Sequence, residues 1–121
     1  MHELSIAHQL VELAVENADR MGLRRVTALH VRVGALSGVV QEALRFAYDI
    51  AAAGTAVEGA RLIIEDVPVA IYCPTCRTER SLPAPVPARC PVCGTPSGDV
   101  RAGRELELYA LEGEADEEGN R

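Results

Sequence analysis

Tryptophan is absent from this chain of 121 residues, and aromatic side chains make up only 3% of it. Base stacking needs aromatic platforms and phosphate binding needs a basic field, so the composition argues against a nucleic-acid partner. The formal net charge is −6. Most of that sits in residues 112–121, where five acids face one arginine, leaving the rest close to neutral and suggesting a solvated, disordered tail. Apolar stretches are interrupted by charges well short of the roughly 20 residues a spanning helix needs, so no membrane segment is expected. The opening residues have no basic segment leading into an apolar run, so the expected location is the reducing cytoplasm. There is no internal repeat beyond two short cysteine pairs. Nor is there a credible nucleophile: Ser5 and His8 form the only close Ser/His pair and have no third partner, so an enzyme is not expected.

What is present is a tight cysteine pattern. All four cysteines fall in Cys73-Pro-Thr-Cys76 and Cys90-Pro-Val-Cys93. Each pair turns back so that two thiolates face one point, and the intervening loop is long enough to bring the pairs together as one tetrahedral zinc site. The proline inside each pair and Gly94 after the second favour those turns. A thioredoxin-like thiol pair would need a helix start behind it, and these pairs lie in proline-rich sequence instead. Four thiolates fill the zinc shell and leave no position for water, which makes the site structural.

Around this module the chain reads as an α+β domain. Leu4, Ala7, Val11, Ala14, Ala18 and Met21, widened by Ile6, Leu10 and Leu13, have helical spacing over residues 4–21. Gly22 ends that helix. Residues 26–33 alternate as a strand, with Leu29, Val31 and Val33 on one side and Ala28, His30 and Arg32 on the other. A second helix is expected over residues 41–53, burying Leu44, Ala47, Ile50 and Ala51, with Phe46 or Tyr48 at its flank. Strand signals recur at 60–66, 69–72 and 104–111. The last is too isolated to be stable beside a zinc loop and is expected to return to the first sheet. The expected architecture is two helices on a small, mostly antiparallel three-stranded sheet. Residues 1–71 and 101–111 form that domain, 72–100 are a zinc-ribbon insertion, and 112–121 are the tail.

A second metal site is suggested at the amino terminus, Met1-His2-Glu3. The Met1 α-amine, the His2 amide nitrogen and a His2 imidazole nitrogen can close two adjacent chelate rings around a metal that accepts planar nitrogen donors. Nickel(II) and copper(II) do so. The fourth position is left for another donor, such as the Glu3 carboxylate or a group from a partner. His8 and His30 read as surface residues rather than ligands.

Met1-His2-Glu3-Leu4-Ser5, Gly34-Ala-Leu-Ser-Gly38, Glu42-Ala-Leu-Arg-Phe46, Glu58-Gly-Ala60, Glu65-Asp-Val-Pro68, the two cysteine pairs and Gly103-Arg-Glu-Leu106 occur in one order. In that combination the chain resembles the HypA/HybF family from residue 1 to about 111. The resemblance implies a nickel metallochaperone for [NiFe]-hydrogenase, with nickel at Met1, His2 and Glu3 and structural zinc at Cys73, Cys76, Cys90 and Cys93. It also implies a HypB-type maturation GTPase as partner and the hydrogenase large subunit as destination. Some family members carry an acid just after the Gly-x-x-Ser turn; this chain has Val39, Val40 and Gln41 there, and Glu42 is the first acid. Monomer and homodimer remain equally open. Without the resemblance, the residues leave a zinc-ribbon adaptor, binding protein or nucleic acid, as the competing function.

Overall fold

The computed structural model describes residues 2–115. In chain order the elements are α1 (His2–Met21), β1 (Leu23–Gly34), α2 (Gln41–Ala52), β2 (Arg61–Val67), β3 (Ala70–Cys73), β4 (Thr78–Ser81), β5 (Val100–Ala102) and β6 (Leu106–Ala115). They form two three-stranded sheets, β2-β1-β6 and β4-β3-β5. The chain separates into two compact units. The first holds the chain up to Val31, Val39–Ile64 and the chain from Glu107; the second holds Arg32–Gly38 and Glu65–Leu106.

In the first unit α1 packs against α2. Helix α1 buries Ala7, Leu10, Val11, Ala14 and Ala18, the stripe its periodicity implies, while Leu4, Leu13 and Met21 are exposed at its margins. Helix α2 buries Leu44, Ala47, Tyr48 and Ala51. Ile50, expected in the core, is 53% exposed, and Tyr48 takes the buried place. At 100° per residue, 44, 47, 48 and 51 share one face and position 50 points about 120° away. The Tyr48 hydroxyl resolves its own burial by reaching the carbonyls of Ala60 and Val57 at 3.0 and 3.4 Å. Burial pushes its pKa up to about 12, with the nearby Asp49 charge adding to the shift.

The last strand does return to the first sheet, beside β1. It also runs further than expected. Residues 112–115, assigned to the tail, belong to β6. Their charges find partners, which explains the extension: Glu112 Oε2 lies 2.6 Å from His30 Nε2, and Glu114 Oε1 lies 3.3 Å from Arg24 Nη2. Gly113 lets the backbone come close, since a Cβ there would collide with the Arg25 carbonyl. The rest of the expected tail, residues 116–121, lies outside the described residues.

The second unit is larger than an insertion of residues 72–100. The segment 34–38 is bound into it by backbone hydrogen bonds: Gly34 N–H to Glu105 O at 2.7 Å, Ala35 N–H to Val67 O at 2.9 Å and Leu36 N–H to Gly103 O at 2.6 Å. Its own sheet was not anticipated. Strand β3 pairs antiparallel with β4, Ile71 opposite Arg80 and Cys73 opposite Thr78, and with β5 on its other side. Val69, Ile71 and Leu82 make a small buried cluster against which Val100 packs.

Candidate metal centres

The two cysteine pairs are built alike. In each, the residue after the second cysteine closes a turn: Arg77 N–H donates to Cys73 O at 2.7 Å, and Gly94 N–H to Cys90 O at 2.8 Å. Both closing residues have positive φ, 59° for Arg77 and 81° for Gly94. Backbone N–H groups inside the turns aim at sulfur: Cys76 N at 3.3 Å from Cys73 Sγ, and Val92 N and Cys93 N at 3.4 and 3.5 Å from Cys90 Sγ. Strand β3 delivers Cys73, and the turn 90–94 is tied down by Cys90 N–H to Thr95 O at 2.9 Å.

The four Sγ atoms all lie within 4.8 Å of one another. Cys73 and Cys93 sulfurs are 3.5 Å apart, and those of Cys76 and Cys90 are 3.9 Å apart. A tetrahedron with metal–sulfur bonds of about 2.3 Å has edges of roughly 3.8 Å. The cluster therefore fits one thiophilic, tetrahedral ion such as zinc. All four cysteines are free of disulfides.

The local field prepares the sulfurs for ionisation. N–H bonds from Cys93 and Val92 bring the Cys90 thiol down to about 6, against the cost of burial. The Thr95 hydroxyl, with Oγ1 3.1 Å from Cys93 Sγ, and the Thr95 backbone hold Cys93 below the ordinary thiol value. Cys76 goes the other way. The Arg80 guanidinium draws it down, yet the neighbouring sulfurs of Cys93, Cys73 and Cys90, together with burial, outweigh that and hold it up at about 11. Crowded like charges resist the last deprotonation, and a dication among the sulfurs removes that resistance. Arg80 was not foreseen from the sequence. Strand alternation around Cys73 was the available signal, but it required knowing that 78–81 is a strand.

The amino-terminal residues present a different environment. Met1 lies outside the described residues. His2 opens α1 and is exposed, so the helix starts two residues earlier than its apolar stripe suggested. The first N–H groups of a helix have no intrahelical acceptor, so the His2 amide is not engaged in the helical ladder. Glu3 is buried, 8% exposed. Its Oε2 accepts the Val40 N–H at 3.1 Å, and this bond, with help from its own backbone N–H, holds the carboxyl at about 2. His8 is exposed on α1. His30, paired with Glu112, also meets Tyr109 edge-on at 5.9 Å between ring centres. Neither joins a metal cluster among the described residues.

The family model for hydrogenase/urease nickel incorporation, the metallochaperone HypA, matches residues 1–113. The chain belongs to the HypA family. It is 55% identical over 112 residues to the hydrogenase maturation factor HypA of Chloroflexus aggregans, covering 93% of this chain and 98% of that protein. It is likewise 55% identical over 116 residues to the HypA of a Roseiflexus species, covering 96% and 94% of the two chains. The fold is that of the Ni metallochaperone HypA from Helicobacter pylori in its solution structure, with a TM-score of 0.67 at 24% identity, covering 96% of this chain and 100% of that one. HypA proteins are metallochaperones concerned with nickel incorporation, not enzymes. Among the described residues no helix is long and apolar enough to cross a membrane.

Proposed function

We propose that this chain binds Ni(II) at its amino terminus and passes it to the large subunit of a [NiFe]-hydrogenase, acting in the cytoplasm with a HypB-type GTPase. The observation that carries this reading is the family match over residues 1–113, which includes both the Met1-His2-Glu3 terminus and all four clustered cysteines. Nickel is held by the Met1 amine and by the amide and imidazole nitrogens of His2, a planar nitrogen set that suits a d⁸ ion. Glu3 stands as the accessory group beside them. One of its carboxylate oxygens accepts the Val40 N–H, which fixes the backbone next to the chelate, and the group supplies a nearby negative charge.

Cys73, Cys76, Cys90 and Cys93 hold zinc. A closed four-thiolate shell does no hydrolysis and exchanges slowly, which suits a site that keeps the second unit folded. The terminal chelate uses ligands that must lose protons to bind, which suits cargo that has to be released. The division of labour follows from the two donor sets: soft and closed for the resident ion, nitrogenous and exposed for the transported one.

Metal analysis of untagged protein tests the assignment. The expected result is about one zinc per chain as purified and about one nickel more after equilibration with Ni(II) and removal of excess. Zinc with no specific nickel uptake would leave a zinc-ribbon adaptor as the better description.

A further inference from the structure

Thr75 and Thr95 belong to different cysteine turns, and their hydroxyl oxygens lie 2.9 Å apart. Thr75 stands inside the first turn, between Pro74 and Cys76, while Thr95 follows Gly94 directly after the second. The Thr95 hydroxyl has a second neighbour: its Oγ1 is 3.1 Å from Cys93 Sγ. Sulfur is larger than oxygen, so that is a close approach for a hydrogen bond to sulfur. The Thr95 backbone holds the side chain in place, since its carbonyl accepts the Cys90 N–H at 2.9 Å and the next residue, Pro96, bridges to Arg89. Of the four cysteines Cys93 is the exposed one, whereas Cys73 and Cys90 are buried. The sulfurs of those two receive backbone N–H groups from within their own turns, at 3.3 Å for Cys73 and at 3.4 and 3.5 Å for Cys90. Cys93 receives a side-chain hydroxyl instead.

The number of available protons fixes the direction of these bonds. A threonine hydroxyl has one proton to donate and lone pairs to accept with, and a metal-bound thiolate can only accept. With the four cysteines ligating one ion, the Thr95 proton goes to Cys93 Sγ. Thr95 then has no proton left for Thr75, so in the 2.9 Å contact Thr75 donates to Thr95. The result is a one-way chain, from the Thr75 hydroxyl to Thr95 Oγ1 and from the Thr95 hydroxyl to the Cys93 sulfur. Successive hydrogen bonds polarise one another, so the Thr75 contact strengthens the bond to sulfur. The same chain joins the turn 73–77 to the turn 90–94 without passing through the metal.

We propose that Thr95, oriented by Thr75, is a positioning residue for Cys93: it fixes the sulfur of the exposed ligand and draws electron density from it, lowering its reactivity toward electrophiles and its ease of displacement by competing ligands. The inference rests on the zinc reading of the four-cysteine centre. A cysteine's susceptibility to alkylation and oxidation follows its exposure and the electron density at its sulfur. Cys93 has the exposure, and the hydroxyl acts on the second factor.

The test uses the full chain with Thr95→Val, which keeps the shape and loses the hydroxyl, Thr95→Ser, which keeps the hydroxyl, Thr75→Val, and the double variant. Zinc content of the unaltered protein is measured first, and a chain without zinc overturns both the zinc reading and this inference. Iodoacetamide then probes the zinc-loaded proteins: its carbon bonds to a sulfur with loss of iodide, and peptide mapping identifies the cysteine that reacts. Thr95→Val should be modified at Cys93 on the order of tenfold faster than the unaltered chain, and its zinc affinity in competition with a chromogenic chelator should fall by a similar factor, in the range usual for loss of a group that supports a metal ligand. Its cobalt-substituted form should show the sulfur-to-metal charge-transfer band at lower energy. Thr95→Ser should behave as the unaltered chain does. Thr75→Val should move each reading the same way by a smaller amount, and the double variant should match Thr95→Val, because Thr75 acts only through Thr95. An unshifted band with unchanged Cys93 modification in Thr95→Val would overturn the proposal and leave the zinc assignment standing. Additive effects in the double variant would refute the one-way chain. If Thr95→Val does not fold, Thr75→Val decides beside the unaltered chain, and no acceleration at Cys93 there counts equally against the proposal.

Discussion

The carboxylate of Glu3 accepts the backbone N–H of Val40 at 3.1 Å, joining the second residue of α1 to the residue that caps α2. Val40 has no side-chain capping group of its own. A glutamate within the same helix commonly performs this service by reaching back to the capping N–H. Here it comes from another helix, and its charge also meets the positive end of the α2 dipole. The connection places the residue that follows His2 under tertiary control.

That connection has a pH signature. The Glu3 carboxyl is lowered in the folded protein to about 2 from 4.5, chiefly by the Val40 bond. A lowered carboxyl stabilises the fold above its unfolded value and loses that contribution as pH falls from about 4.5 toward 2. The unaltered chain should therefore lose stability across that window more steeply than Glu3→Gln, and thermal melts between pH 6 and pH 2.5 check it. Parallel curves for the two proteins would show that the Val40 bond contributes nothing.

The close approach of Gly34 to Gly103 gives a second prediction. A Cβ on Gly34 would overlap the Gly103 carbonyl and sit 2.7 Å from the Glu105 nitrogen, both backbone atoms that cannot swing aside. Gly34→Ala must break the Gly34–Glu105 and Leu36–Gly103 hydrogen bonds or shift the strands. A cost of about 2–4 kcal/mol is expected from denaturant unfolding, within the range for overpacking combined with lost buried bonds.

The two cysteine turns differ at the residue that closes them. Arg77 occupies the left-handed region, φ 59°, that Gly94 occupies without penalty in the other turn. Relieving a left-handed non-glycine residue returns roughly 1 kcal/mol, partly offset by the greater freedom of glycine in the unfolded chain. Arg77→Gly should leave zinc content unchanged and raise the stability of the second unit slightly. Gly94→Ala should lower it. Opposite signs for the two variants are the diagnostic outcome, read from chelator resistance and thermal melts.

Zinc removal should act on one unit. The second unit holds a small buried apolar cluster of Val69, Ile71 and Leu82, with Val100 against it. So small a core cannot offset the ordering entropy of its loops, and metal binding supplies free energy on the order of 10 kcal/mol in comparable modules. Cys73→Ala or exhaustive chelation should collapse amide protection and NMR dispersion around 69–102, while the signals of α1 and α2 remain. Native signals for both units in a zinc-free protein would contradict the assignment.

Much of this was legible in the residues because the signals were strong locally. Two Cys-x-x-Cys pairs can close on one ion almost regardless of what surrounds them, and the stripe of Ala7, Val11, Ala14 and Ala18 has a helical period and nothing else. The β4-β3-β5 sheet was hidden because its outer strands are short and polar: Thr-Glu-Arg-Ser alternates only by reference to Ile71 and Cys73 across from it. Arg80 was hidden with it. Ile50 and Tyr48 exchanged places because apolarity alone does not tell which side of a helix meets the core, and a tyrosine can go inside when carbonyls such as that of Ala60 await its hydroxyl. The acids at 112 and 114 looked like a solvated tail because their partners, His30, Arg24 and Arg61, are distant in sequence.

The central claim is that nickel binds at a free amino terminus, apart from the cysteines. Nickel titration of the native chain beside one acetylated at Met1, or extended by a few residues before it, tests that claim most directly. The α-amine and the imidazole must both be free of protons to bind. The native chain should take up about one nickel with an affinity that falls as pH drops and protons compete for the same nitrogens. The blocked chain, like His2→Ala, should take up none while retaining its zinc. Nickel binding to the blocked chain as tight as to the native one would contradict the account.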